Sequence, residues 1–367
     1  MKNLFIIIFF GVSILTIPAE AIDLSTLKVH KDFDLSIFAE NLDSPRQMVE
    51  GERGTIFVGE RNGQVIALLD SDNNGKVDSK RIVASGLTYS TGVSLFNGDL
   101  YFSEINKIWK IEGIETWLQK NNSGLPEKFL VTDDLPSDEW HGWKWLKHDL
   151  NGKLYTNVGA PCNSCLSKNS QYASIIQLNN NQWEYVARGV RNSVGFDFHP
   201  DSRKLYFTDN GRDWLGDDSP SCELNRVDKN GSFYGFPFQH AMNIKDPEYG
   251  DVNSGYDYVN PILELGAHVA PTGIAFYSGS QFPIEFHNNL FITLHGSWNR
   301  SEKVGYKVIR VVLDKNGEVI ASEDFISGWL QGQKVIGRPS APLVLRDGSL
   351  LVSDDKANVI YRITYNK

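Results

Sequence analysis

Short runs of alternating apolar and polar residues recur along the chain, all but one of them following a turn with Gly or Asn. Arg53-Gly54-Thr55-Ile56-Phe57-Val58 leads to Val65-Ile66-Ala67-Leu68, and Asn97-Gly98-Asp99-Leu100-Tyr101-Phe102 leads to Ile108-Trp109-Lys110-Ile111. Asn151-Gly152-Lys153-Leu154-Tyr155, Ser202-Arg203-Lys204-Leu205-Tyr206-Phe207, Asn288-Asn289-Leu290-Phe291-Ile292 and Asp347-Gly348-Ser349-Leu350-Leu351-Val352 open further copies, each with a second run downstream. A period of two is that of a β-strand, and Asn-Gly between two such runs marks a hairpin. The hairpin on Asn151-Gly152 puts His141, before its first strand, and Gly159, after its second, at the same end.

Copies of strand, turn, strand, loop, strand predict an all-β protein, a six-bladed β-propeller, with a fourth strand in each connection. One such unit cannot bury both faces, and closing the ring removes the exposed edges. After Tyr365 the last copy has no room for its fourth strand. The alternation Phe33-Asp34-Leu35-Ser36-Ile37-Phe38 can supply it, so the propeller is expected to be closed by an N-terminal strand. Residues 22–367 then form a single domain. The long stretch at about 213–262, rich in Gly, Asp, Pro and Tyr, is expected to be an insertion over one face; a concealed seventh blade there is the competing count.

Of the 367 residues, 41% are hydrophobic, enough for a large core. Residues 1–21 have the form of a secretory signal, with Lys2, the apolar run Leu4 to Ile17 and the small-x-small pattern Ala19-Glu20-Ala21. Export to the periplasm or outside the cell is expected, with no membrane span in the mature chain. The net charge of −9, scattered rather than blocked, disfavours nucleic acid as a partner. Three cysteines, Cys162, Cys165 and Cys222, suit a structural disulfide whose pairing is open.

In a propeller the lead-in to each innermost strand and the loop leaving each second strand share one face. The lead-ins carry Pro45-Arg46-Gln47, Ser90-Thr91, His141, Arg191-Asn192, His268 and Arg338. The exits carry Glu60-Arg61, Glu104, Gly159, Asn210-Gly211-Arg212, His295 and Asp354-Asp355. Such a mixture of Arg, His and aromatic residues suits a planar, anionic, aromatic ligand.

Four phrases make the chain resemble a known family, the soluble quinoprotein glucose/sorbosone dehydrogenases, which use pyrroloquinoline quinone and calcium. They are His141 to Cys165, Gly189-Val190-Arg191-Asn192-Ser193-Val194-Gly195, Tyr206-Phe207-Thr208-Asp209-Asn210-Gly211-Arg212-Asp213 and His295-Gly296-Ser297-Trp298-Asn299-Arg300. Gly-Ala-Pro-Cys-Asn and His-Gly-Ser-Trp-Asn-Arg look more like the sorbosone branch. The resemblance implies oxidation of a sugar, aldehyde or polyol hydroxyl, with electrons passed to an external acceptor. It makes His141 the general base, and Arg191, Asn192 and Arg338 cofactor contacts. The backbone carbonyls of Gly211 and Arg212 would be the calcium ligands, with the ion as Lewis acid.

The departures from that pattern are local. The carboxylate that orients the family's His falls at Ala160. A cofactor-binding Lys falls at His295, a second clamping Arg at Ser340 and a cofactor-contacting Thr at His268. The loss of two cations leaves the side chain of Arg212, or Arg300, to compensate. Two alternatives stay open: a metal-dependent propeller hydrolase or lactonase, and a non-catalytic propeller binding sugar or protein. Asp70-x-Asp72-x-Asn74-Gly75-x-x-Asp78 has the spacing of a calcium loop, with Arg81 where the twelfth-position Glu is expected, and equally that of a plain Asx/Gly turn. Trp140 and Trp143 are candidates for a sugar-stacking platform.

Overall fold

The computed structural model describes residues 23–120 and 122–366, so the expected signal segment lies outside the described residues. The described chain forms six sheets of four or five strands, arranged as the blades of a propeller. Blade 1 runs outward as Pro45–Glu50, Ile56–Glu60, Gln64–Leu69 and Ser79–Ala84. Blades 2 to 5 begin on Val93–Phe96, Leu146–His148, Phe196–Phe198 and Pro271–Phe276. Blade 6 runs Pro339–Val344, Leu350–Asp354, Val359–Tyr365, and its outer strand is Phe33–Ala39 from the other end of the chain, paired antiparallel with Phe33 opposite Tyr365.

The repeated phrases are second and third strands. Ile56–Glu60, Leu154–Val158, Leu205–Asp209, Leu290–Leu294 and Leu350–Asp354 are buried at every position. Each faces two neighbouring blades rather than one core and solvent. Thus Phe57 packs with Val93, Leu100 and Phe102 of blade 2, while Ile56 and Val58 pack with Leu351 and Ile360 of blade 6. The core is accordingly a set of layers between adjacent blades, and period-two alternation assigns each residue to one layer or the next.

Towards the axis the strands approach closely. A Cβ on Gly195 would lie 2.8 Å from the Cα of Gly273, and one on Gly273 would lie 2.7 Å from the Cα of Ala341. Gln47 of blade 1 crosses to blades 2 and 3, donating to the Leu146 carbonyl (2.7 Å) and accepting from the Val93 and Leu146 N–H groups. Buried polar groups tied in this way fix the register of the ring.

There is no seventh blade among the described residues. The stretch after Ser221–Arg226 instead adds Ser232–Phe233 to the outer edge of blade 3 and forms a small hairpin, Gln239–His240 with Ile244–Lys245. It returns as Leu263–Ala267, the fourth strand of blade 4. A short helix, Ile114–Gln119, fills the connection between the third and fourth strands of blade 2.

Candidate active site

A cleft of about 560 Å³ opens at the mouth where lead-ins and exits meet. His141, Arg191, Asn192, Gly211, His268, His295 and Arg338, drawn from four blades, all line it. Below it the axis narrows to a space of about 20 Å³ bounded by Gln47, Lys144 and Trp145. A larger cavity, about 680 Å³, lies at the opposite end, and there Lys147 and Asp197 neutralise one another at 2.5 Å.

The hairpin on Asn151-Gly152 places the His. Leu146–His148 pairs with Leu154–Val158, which brings the Gly159-Ala160 exit under the lead-in. His141 Nδ1 lies 2.9 Å from the Ala160 carbonyl oxygen. A carbonyl only accepts, so Nδ1 carries the proton and Nε2 keeps its lone pair. Ala160 therefore supplies through its backbone the orientation that a carboxylate side chain gives elsewhere. The contact requires Gly159, where a Cβ would sit 2.6 Å from the His141 Cβ and 2.7 Å from its carbonyl oxygen. His141 itself is left-handed, φ 54°, a conformation costing about 1–3 kcal/mol that the surrounding lead-in must hold. Burial, reinforced by the Arg191 charge, pulls the imidazole down to about 3.

Arg191 is buried and is a knot more than a free clamp. Its Nε donates to the Asn163 carbonyl (2.9 Å), Nη1 to the Asn210 carbonyl (3.1 Å), and Nη2 to Asn163 Oδ1 and Asp213 Oδ2 (both 2.9 Å). These bonds hang the Asn210–Asp213 exit of blade 4 on the Cys162-Asn163 loop of blade 3. No hydrogen bond of the described chain ends on the Gly211 or Arg212 carbonyl, and Asn192 Oδ1 is buried without a partner. Cys162 and Cys165 form the disulfide, and Cys222 is free in the cleft wall.

Several acids of the rim serve the backbone. Glu60 accepts the Asp43 N–H (2.8 Å), Glu104 that of Thr88 (2.8 Å), and Asp354 that of Arg338 (2.8 Å). Asp209 accepts from both Arg191 and Asn192 (2.8 and 2.6 Å). A carboxylate closing the second strand thus anchors the lead-in of its own blade in blades 1, 2, 4 and 6. Burial pushes Asp209 up to about 7 and Asp354 up to about 6.

Three expectations need correction, those for the side chains of Arg212, Arg300 and Trp143. The Arg212 side chain does not line the cleft; its guanidinium is taken by Asp246, which also holds His240 Nε2 at 2.8 Å. Arg300 is likewise turned away, onto the Asp217 carbonyl and Asp218. His295 lines the cleft but supplies no cation, because its Nε2 meets Asp355 Oδ1 at 2.8 Å and burial lowers it to about 4 despite that partner. Trp143 is no open platform, since the guanidinium carbons of Arg46 and Arg61 cover it at 4.2 and 4.5 Å. The exposed tryptophans at this mouth are Trp140, Trp298 and, edge-on to Trp298 at 5.5 Å, Trp214. His268 Nε2 donates to the Gly216 carbonyl at 2.7 Å.

The missing cations are made good by Arg46 and Arg61, which the sequence placed on the rim without singling them out. With Arg191 and Arg338 they give the cleft four guanidinium groups, against Glu139 and Asp213 as its lining carboxylates. A chain of net charge −9 therefore carries a cationic pocket. That pocket, the unpaired Asn192 oxygen and the two free carbonyls fit a flat polycarboxylate and a hard cation. Asp70, Asp72 and Asp78 converge elsewhere, in the outer hairpin of blade 1, with oxygens within 4.8 Å of one another. Asp70 and Asp78 already accept the N–H groups of Ser71, Asn74 and Gly75, and Asp72 also accepts that of Asn74, which is sufficient for an Asx-type turn.

Comparison with known proteins agrees with this geometry. A family model described as TrAA12-like matches residues 225–365. An uncharacterised protein of Borreliella burgdorferi is 36% identical over the whole of both chains. The pyrroloquinoline quinone-dependent pyranose dehydrogenase of Coprinopsis cinerea is 39% identical over 64 residues, 17% of this chain and 8% of that one. The holo form of its quinone domain superposes with a TM-score of 0.77 at 20% identity, covering 92% of this chain and 97% of that one. A calcium structure of the Trichoderma reesei family AA12 enzyme gives 0.76 at 19% identity, covering 92% and 97%. These names are broader than the sorbosone branch. The chain belongs to one family with the Borreliella burgdorferi protein, and it shares the propeller of the quinone-dependent sugar dehydrogenases.

Proposed function

We propose that this cleft oxidises a sugar, aldehyde or polyol hydroxyl, and that it does so with pyrroloquinoline quinone and calcium bound. The observation that carries the reading is the imidazole of His141, held by Ala160 with its Nε2 lone pair free in a pocket lined by four arginines. When bound, the quinone would supply the hydride acceptor and calcium the Lewis acid. The chain does the rest. His141 Nε2 takes the hydroxyl proton, Arg338 and Asn192 would hold the cofactor's oxygens, and the Gly211 and Arg212 carbonyls would hold the ion. Trp140 and Trp298 offer apolar faces to a sugar ring at the mouth. A hydrolase would want several free inward carboxylates, whereas Asp213 is spent on Arg191. We place the enzyme outside the cytoplasm on the form of residues 1–21; no described helix is long and apolar enough to cross a membrane.

The test is reconstitution. Purified protein mixed with the quinone and calcium should show a saturable absorbance change, and chelation should reverse it. No change at any quinone concentration would refute the reading.

The pH profile gives a second check. The active base is the neutral imidazole. Its depressed affinity for protons, at about 3, keeps it neutral through pH 5, where a free His of about 6.5 would be mostly charged. The acid limb of kcat/KM should therefore fall below pH 5; a limb centred near 6.5 would mean that the His141 imidazole is solvated rather than buried.

Gly159→Ala adds one methyl group at a site with no room for it. It should displace His141 and lower kcat by about a hundredfold, the order of cost of misplacing a catalytic group by ~1 Å. Quinone affinity should hold. Unchanged kcat would mean that the Ala160 contact does not position the base.

A further inference from the structure

The loop between the second and third strands of blade 3, residues 159–173, does more than carry the Ala160 contact. Cys162 and Cys165 close part of it into a small ring that contains Asn163 and Ser164. Both residues reach out of blade 3. Asn163 makes four bonds. Its carbonyl accepts Arg191 Nε and its Oδ1 accepts Arg191 Nη2 (both 2.9 Å). Oδ1 also accepts the Asp213 N–H (2.8 Å), and Nδ2 donates to the Asp213 carbonyl (3.0 Å). Ser164 Oγ donates to Asp246 Oδ2 (3.1 Å), on the carboxylate that takes the Arg212 guanidinium.

One ring thus grips segment 210–213 at three points. Arg191, itself held by Asn163, ties the Asn210 carbonyl. Asn163 ties Asp213 directly, and Ser164 braces the partner of the Arg212 side chain. Gly211 has no side chain to anchor it, so the Gly211 and Arg212 carbonyls owe their position to these neighbours. The ring in turn owes its own position to the disulfide. It lies outside any strand, and residues 166–170 beyond it are exposed. A cross-link confines such a segment where no ladder of backbone bonds does so.

We propose that Asn163, held in place by the Cys162–Cys165 bond, is the positioning residue for these two carbonyls, and that an external dithiol which opens the bond weakens the metal site. The effect on calcium rests on the function proposed above; the clamp on segment 210–213 does not. In the redox step the dithiol gives up two electrons and two protons. The S–S bond breaks, two thiols form on the chain, and the reagent closes to its own disulfide. The sulfurs are within reach, since both cysteines are only half-buried and Cys165 lines a cavity of about 240 Å³ outside the cleft. Removing the outer partner of a metal ligand typically costs about 10- to 100-fold in affinity.

The Asp213 N–H reports the clamp without metal or cofactor, because it donates to Asn163. Hydrogen exchange of the cofactor-free protein is followed by mass spectrometry with and without dithiothreitol. The Arg61 N–H, which donates to the Ser44 carbonyl at the exit of blade 1, is the control. With the disulfide reduced, exchange at Asp213 should rise at least about tenfold while Arg61 is unchanged. No change at Asp213, or an equal rise at Arg61, would overturn the clamp. The metal arm uses the double variant Cys162→Ser with Cys165→Ser, free of reductant. It should need at least about tenfold more calcium than wild type to half-saturate the quinone absorbance change. Asn163→Ala, with the disulfide intact, should show the same loss and takes over if the double variant does not fold. An unchanged calcium requirement would overturn the link from the clamp to the metal site. Faster exchange at Asp213 on reduction, with no quinone binding even by oxidised wild type, would keep the clamp and refute the proposed function.

Discussion

His141→Gln is expected to lower kcat by about 10²–10⁴, the usual worth of a positioned general base, while quinone affinity changes less than about twofold. Glutamine is the informative replacement. Its amide NH2 can still donate to the Ala160 carbonyl, so the side chain stays where the imidazole was. What it lacks is a basic lone pair aimed into the cleft. The substrate hydroxyl proton then loses the acceptor that Ala160 holds in place; of the two carboxylates lining the cleft, Asp213 is spent on the Arg191 guanidinium, which leaves Glu139 as the one remaining acid. Single-turnover reduction of the bound quinone measures the step directly. Wild-type rates in His141→Gln would remove the proposed base.

Arg191→Ala should cost about 3–5 kcal/mol of folding stability, the range seen when one partner of a buried ion pair is removed. Four donated bonds vanish at once, and Asp213 is left with its carboxylate uncompensated beside Asn163. The loss falls on function as well as stability. The same bonds hold Asn210 and Asp213, and between them lie the Gly211 and Arg212 carbonyls. Calcium-dependent quinone binding should therefore disappear even in the folded fraction. Denaturant unfolding followed by tryptophan fluorescence gives the first number and a calcium titration the second. A loss under about 1 kcal/mol would place Arg191 at the surface in solution, contrary to the packing seen here.

Much of the architecture was legible in the chain because a propeller repeats its local chemistry. The Asn-Gly and Asp-Gly turns mark the hairpins, and second strands such as Ile56–Glu60 and Leu350–Asp354 open on apolar triplets for a physical reason: each is buried between two blades. His141, Arg191 and Arg338 were legible through the phrases around them. Contacts that exist only after the ring closes were not. Nothing near Trp143 in sequence announces that Arg46 and Arg61 from blade 1 will cover it. Nor does composition separate a rim acid that clamps a lead-in, such as Glu60 or Asp354, from one free to bind a ligand. Arg212 misled for a related reason. The exit that carries it lines the cleft at Asn210, Gly211 and Asp213, but its side chain follows Asp246, which is delivered by an insertion whose path local patterning does not fix.

The central claim is that these separated groups make one redox site. Its most direct test is reduction of an artificial electron-accepting dye by protein loaded with pyrroloquinoline quinone and calcium, across a panel of aldoses, uronic acids, aldehydes and polyols. Turnover that needs quinone, calcium and at least one of these substrates together is the expected result. Protein that binds the quinone but reduces no dye with any of them would contradict it.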